Sequence, residues 1–171
     1  MISKRAAVQA IPIADNGLIP NNPRPLLIYK AVMEIASGGA AAVEALFRAN
    51  GWDGCWRNGV YPFHHYHSSS HEVLGCYSGS AQVQFGGEGG VVVDLASGDA
   101  VLIPAGVGHK NLGDRDGFGV VGAYPGGRDY DMCYGRPGER PGADENIGNV
   151  PMPERDPVFG EQMSELWPDV D

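Results

Sequence analysis

What most limits the shape this chain can take is the rhythm of its middle portion. From Trp52 to Tyr124, short runs suited to strands follow one another at near-even intervals: 60–67, 72–77, 81–85, 91–95, 100–103, 109–112 and 118–124. Turn-forming residues punctuate them, and Gly86-Gly87-Glu88-Gly89-Gly90 reads as a hairpin loop between two of them. Short strands at that spacing predict an all-β fold, a sandwich or a closed barrel. The 26 Gly and 13 Pro among 171 residues favour tight turns over a helical bundle in the same way.

The flanks read differently. Two strand candidates, 7–13 and 26–33, precede the regular region, separated by Asp15-Asn16-Gly17 and Pro20-Asn21-Asn22-Pro23. Ser37 is placed to cap a helix running to about Asn50, with Gly51 as its stop. Val43, Leu46, Phe47 and Asn50 fall at helical spacing, and Glu44 with Arg48 makes an i, i+4 pair on the outer side. From Gly126 onward the chain carries Pro137, Pro141, Pro151, Pro153, Pro157 and Pro168 and most of the acid excess. A segment so rich in proline cannot run through a sheet. It is expected to lie as an extended arm over the barrel or over a partner subunit. Asp156-Pro157 is placed to open a last helical turn or two, with Met163, Leu166 and Trp167 on one face and Pro168 ending it. The length fits a single domain over 1–171: N-terminal strands and helix in 1–51, barrel core in 52–125, arm in 126–171.

A formal net charge of −9 disfavours a nucleic-acid partner, which would want a basic face. No run approaches the roughly 20 apolar residues of a spanning helix, so no membrane role is expected. Met1-Ile2-Ser3-Lys4-Arg5 is basic, but Pro12 and Asp15 interrupt the apolar stretch that follows, which does not suit a signal peptide. Three widely spaced cysteines, Cys55, Cys76 and Cys133, fit a reducing compartment better than a disulfide framework, so a cytoplasmic protein is expected.

Chemistry concentrates in one stretch. His65-Tyr66-His67 lies in a strand-type run, and side chains on a strand alternate faces. Both imidazoles therefore point the same way, with Cα atoms roughly 6.5–7 Å apart. Glu72 follows five residues later, and His109 sits on a later strand. Imidazoles with a carboxylate suit one divalent transition metal, with Fe, Mn, Ni and Zn all admissible. By the same alternation His64 faces away from His65. His71 is an alternative to Glu72, being four residues after His67.

These residues sit inside two longer patterns. Gly59 to Gly79 reads G-x5-H-x-H-x4-E-x6-G, and Gly98 to His109 reads G-x5-P-x-G-x2-H through Pro104 and Gly106. Both spacings match, in order and without a gap, the two motifs of the cupin superfamily, which this chain resembles over about Trp52 to Tyr124. One departure is visible: the family places an Asn four residues after the second-motif His, where this chain has Gly113, with Asn111 two residues earlier. That Asn is no metal ligand, so only the local turn is put in doubt.

The resemblance implies a cupin jelly-roll barrel in which His65, His67, Glu72 and His109 hold one metal, with two positions left for water, oxygen or substrate. The spacing to Gly79 favours Glu72 over His71 as the carboxyl-side donor. Strand parity then adds Tyr61 and Phe63 before His65, Leu74 and Cys76 after Glu72, and Asn111 after His109 as candidate pocket residues. Tyr61 and Asn111 would bond a substrate, Phe63 and Leu74 would keep the site dry, and Arg57 could hold a substrate carboxylate if it faces inward. For Phe63, Leu74 and Cys76 ordinary core packing is the favoured reading. Tyr61 and Glu72 are the candidate catalytic groups. Cupins with this ligand set include dioxygenases, isomerases and oxalate-degrading enzymes, so the expectation is a metal-dependent enzyme for a small polar molecule. The alternative is a non-catalytic protein that binds or senses a small molecule. Pairing through sheet edges makes a homodimer the expected assembly.

Overall fold

The computed structural model describes residues 7–36 and 38–168. Its strands are β1 Val8–Ile13, β2 Asn22–Tyr29, β3 Trp52–Asn58, β4 Glu72–Phe85, β5 Val91–Ala96, β6 Ala100–Ile103 and β7 His109–Pro125. Its helices are α1 Gly39–Ala49, α2 Gly142–Asn149 and α3 Met163–Leu166. The strands form one antiparallel sheet in the order β1-β2-β6-β4-β7-β3, with β5 also paired to β4. The all-β class is therefore as the spacing predicted.

Two long strands form the spine. β7 runs beside β4 from Phe85↔His109 to Val73↔Ala123. On its other edge, β4 pairs β6 through Glu72–Gly75 and β5 through Ser80–Phe85. The expected pairs of short strands, 72–77 with 81–85 and 109–112 with 118–124, are thus continuous. Register shifts between Cys76 and Ser80 let the ladder bend without ending. Gly79 makes that bend possible. Its φ is 64°, and a Cβ there would stand 2.5 Å from the carbonyl oxygen of Arg115.

Both faces of the central strands are covered, which explains the unbroken apolar run Leu26-Leu27-Ile28-Tyr29 in β2. Leu26, Ile28, Leu74, Val101, Ile103 and Val120 point into the barrel. Their neighbours Leu27, Tyr29, Val73, Leu102 and Val121 pack outward against Val43 and Phe47 of α1 and against Trp167 from the arm. Alternation places these side chains on opposite faces.

The expected strand 60–67 does not form. After β3 the chain runs through 60–67 as a loop, which carries the isolated bridges His65↔His109 and Tyr66↔Cys133 and accepts the N–H of Asn111 at the Tyr61 carbonyl, 2.9 Å, and that of Gly106 at the His67 carbonyl, 2.7 Å. Pro62 lacks the donor a ladder needs, which accounts for the failure. Ser37 lies outside the described residues; α1 starts at Gly39, with Gly38 as N-cap and no side-chain cap bond.

The arm packs on its own chain. Trp167 is buried and its indole N–H donates to the Pro25 carbonyl at 2.9 Å. Trp52 donates likewise to Arg155 at 2.9 Å. The last helix begins at Met163, not at Asp156-Pro157. The buried Asp156 carboxylate instead accepts the backbone N–H groups of Val158, Phe159 and Glu161 at 2.8–2.9 Å, closing a turn. Helix α2 had no clear signal in a stretch dominated by Gly and Pro.

Candidate metal centre

The 60–67 loop, the start of β4 and the start of β7 meet at one end of the barrel. Reciprocal backbone bonds between His65 and His109, 2.9 and 3.2 Å, hold those residues side by side, with ring centroids 4.0 Å apart. His67 joins them, and one ring nitrogen from each of His65, His67 and His109 lies within 4.8 Å of the others. All three residues are buried.

Their second nitrogens decide what the cluster can do. Nδ1 of His65 meets the Phe63 carbonyl at 2.9 Å, that of His67 the Asp131 carbonyl at 2.6 Å, and that of His109 the Val107 carbonyl at 3.1 Å. A carbonyl only accepts, so each Nδ1 carries the proton and each Nε2 keeps its lone pair for the centre. Three neutral imidazole donors so oriented fit a divalent transition metal.

Glu72 stands beside two of the three histidines. Its Oε1 is 3.4 Å from Nε2 of His109 and its Oε2 is 3.5 Å from Nε2 of His67. The Tyr124 hydroxyl donates to Oε2 at 2.5 Å, and Trp56 Nε1–H donates to that hydroxyl at 2.8 Å. Burial pushes the Glu72 carboxyl up, but His67 and His109 outweigh it and hold the group well below the usual carboxylate range. Burial, with His109 alongside, depresses His65 to about 3. Burial acts downward on His67 too, but the Glu72 carboxylate overrides it and raises that imidazole. Burial and the Glu72 charge together raise the Tyr124 phenol, so the hydroxyl keeps its proton.

The cluster opens into a cavity of about 270 Å³. Of the expected pocket residues, Tyr61 and Leu74 line it. Tyr61 is 51 % exposed at the mouth and stacks on Phe63, which packs on towards Tyr134 outside the lining. Cys76 sits in the barrel core, where burial pushes its thiol up to about 11. Asn111 is not a pocket residue: its amide donates to Asp114 at 2.7 Å and its oxygen accepts the Gly113 N–H at 2.9 Å, closing a turn. Arg57 lines the cavity, but its guanidinium donates to Glu44 at 2.6 Å and so has its charge answered already. His64 stands beside Glu88, 3.4 Å away. His71 accepts the Ala105 N–H and packs on Trp167, away from the three histidines, and burial depresses it to about 3. Glu72, not His71, therefore faces the cluster.

Sequence reasoning missed Trp56, Tyr124, Tyr130 and Met132, which join Asn58, Gly59 and Val60 in the rest of the wall. Tyr124 was within reach of parity, since Val120, Gly122 and Tyr124 share one face of β7. Gly122 leaves room for the Trp56 ring: a Cβ there would stand 2.2 Å from the indole. Tyr130 stacks on Tyr124 at 4.4 Å and meets His67 edge-on at 4.8 Å. It comes from the arm, and nothing local to it announced that position.

An antiparallel barrel of this kind, with those two motif segments at one end, has the fold of the cupins. The chain belongs to the family of the uncharacterized protein YjlB of Bacillus subtilis (strain 168), with which it is 44% identical over 156 residues, 90% of this chain and 92% of that protein. No family model matches the chain. Similar solved structures include the acireductone dioxygenase of Bacillus anthracis, which has a cadmium ion in its active centre. That match has 16% identity and a TM-score of 0.40, over 55% of this chain and 63% of that one. A DUF861 family protein of Thermotoga maritima matches with 22% identity and a TM-score of 0.32, over 53% of this chain and 92% of that one.

Proposed function

We propose that this protein is a mononuclear metal-dependent cupin enzyme that acts on a small polar molecule by dioxygenase-, isomerase- or decarboxylase-type chemistry. The observation that carries this reading is the orientation of the three imidazoles: each Nδ1 is bonded to a carbonyl, and the free nitrogens crowd together beside a buried carboxylate. His65, His67, His109 and Glu72 would hold one Fe, Mn, Ni or Zn ion. Such an ion supplies Lewis acidity and a template for substrate oxygens, and iron adds the capacity to bind oxygen.

The chain's own residues do the rest. Tyr124 holds Oε2 of Glu72 and so fixes the carboxylate plane. Leu74 lines the inner wall and excludes water. At the mouth the Tyr61 hydroxyl is placed to bond a substrate or pass it a proton, with Glu72 as the only carboxylate on the lining among the described residues. A cavity of about 270 Å³ accepts a small molecule and little more.

Metal analysis of protein purified without added metal tests the site, with close to one equivalent expected and loss of it in His65→Ala, His67→Ala and His109→Ala. Oxygen uptake by the Fe(II)-loaded protein, with keto acids, thiols and diphenols as a panel, tests the chemistry. Tight ligand binding without turnover under several metals would favour the binding or sensing role instead. The same reading takes the protein as cytoplasmic, since all three cysteines are unpaired, and as a homodimer, which sedimentation equilibrium tests. Among the described residues no helix is long and apolar enough to cross a membrane.

A further inference from the structure

Two of the three candidate histidine ligands are oriented by their own loops. His65 donates to the carbonyl of Phe63 and His109 to that of Val107, each two residues back along the chain. His67 differs: its acceptor is the Asp131 carbonyl, 64 residues further on. The position of that carbonyl depends on what anchors the 129–133 segment against the first motif.

The anchor is the Asp131 side chain. Its Oδ1 accepts the backbone N–H of Ser68 at 2.7 Å and that of Ser69 at 3.2 Å. The Ser69 hydroxyl donates to the same oxygen at 3.2 Å, and the Ser68 hydroxyl donates to Oδ2. One carboxylate thus takes four donors from the serines that directly follow His67. Backbone bonds between Tyr66 and Cys133, 2.8 and 2.9 Å, complete a short bridge on the other side. The run Ser68-Ser69-Ser70 sits inside the first motif, where the spacing leaves residue type free, and this contact gives its first two members a task.

The geometry points to Asp131 as the positioning residue of the candidate metal centre: its carboxylate clamps Ser68 and Ser69, and its carbonyl thereby fixes the ring plane and tautomer of His67. The inference rests on the metal-binding reading above and adds to it the one ligand whose aim depends on the arm. Outer partners of this type are worth about 10–100-fold in metal affinity when removed. The role is one of position, since Asp131 is not part of the cavity lining.

Co2+ is the probe that tests it, because its visible bands report ligand geometry as well as occupancy. Full-length wild type, Asp131→Ala, Asp131→Asn, Ser68→Ala and His67→Ala are titrated with Co2+ against a competing chelator, well below their melting temperatures. Asp131→Ala is expected to bind about 10–100-fold more weakly, with shifted bands. Asp131→Asn keeps one acceptor for the backbone N–H groups and should fall between it and wild type. Ser68→Ala, which removes one of the four bonds, should weaken binding less than Asp131→Ala. If Asp131→Ala melts lower yet binds Co2+ with wild-type affinity and wild-type bands, Asp131 is merely structural and the inference is overturned. Should Asp131→Ala fail to fold, wild-type binding and bands in both Asp131→Asn and Ser68→Ala overturn it equally. Wild-type protein that takes up Co2+ no better than His67→Ala refutes the metal centre itself, a separate result from normal wild-type binding with unaffected Asp131 variants.

Discussion

Tyr124 carries more than its ring. Its hydroxyl accepts from Trp56 and donates to Glu72, so one buried oxygen serves both groups. Tyr124→Phe keeps the ring stack on Tyr130 and removes only that oxygen. Leaving a buried carboxylate oxygen and an indole N–H unanswered costs about 2–4 kcal/mol in total, taking ~1–2 for each. Urea denaturation of the metal-free protein measures it; a loss near zero would mean that water replaces the hydroxyl at both partners. Parity along β7 marked the face of Tyr124, but a sequence does not say that an inward tyrosine finds a carboxylate 52 positions earlier.

Between α1 and β4 the contact is set by a missing side chain. Val43 and Phe47 of the helix lie directly over Gly75, where an added Cβ would stand 2.6 Å from Val43 Cγ1 and 2.7 Å from Phe47 Cζ. Gly75→Ala is therefore expected to destabilise by roughly 1–3 kcal/mol through overpacking, measurable as a lower denaturation midpoint. Helical spacing exposed Val43 and Phe47 as the inward face; the strand glycine beneath them gave no such hint. A second joint ties the start of α2 to the β1–β2 turn. Arg140 donates to Asp15 at 2.6 and 2.8 Å, and to Asp144 at 2.6 and 2.9 Å. The Arg140 bonds hold the Asp15 carboxyl at about 2, against an ordinary 3.8. A depressed folded-state value means that the stabilisation is complete above the ordinary value and fades as the pH falls towards 2. The pair is exposed, so the contribution is small and salt-sensitive. Arg140→Met should be slightly less stable than wild type at neutral pH, and the difference should close between pH 4 and pH 2 in thermal melts. A gap that stays constant over that range would rule out the ion pair as its source.

Across the molecule, the arm is packed onto the barrel. It supplies Trp167 to the outer core, Tyr130 and Met132 to the cavity wall, and the carbonyl that His67 faces. Trp167→Ala should cost about 3–5 kcal/mol, as for other buried tryptophans. A chain ending before Gly126 should lose both thermal stability and Co2+ uptake, checked by calorimetry and chelator titration; a stable truncated chain with full uptake would show the arm to be dispensable. Much of this protein was readable from its residues: the strand rhythm, the convergence of His65, His67 and His109, and the approach of Glu72 rather than His71 to them. Those features depend on alternation and on short sequence separations, which local chemistry governs. The course of 60–67, the turn made by Asn111, helix α2 and the arm's place in the site were settled by contacts between segments far apart in the chain. Such pairings are chosen by which surfaces exclude water together and which buried polar groups find partners, and that is decided only when the whole chain has closed upon itself.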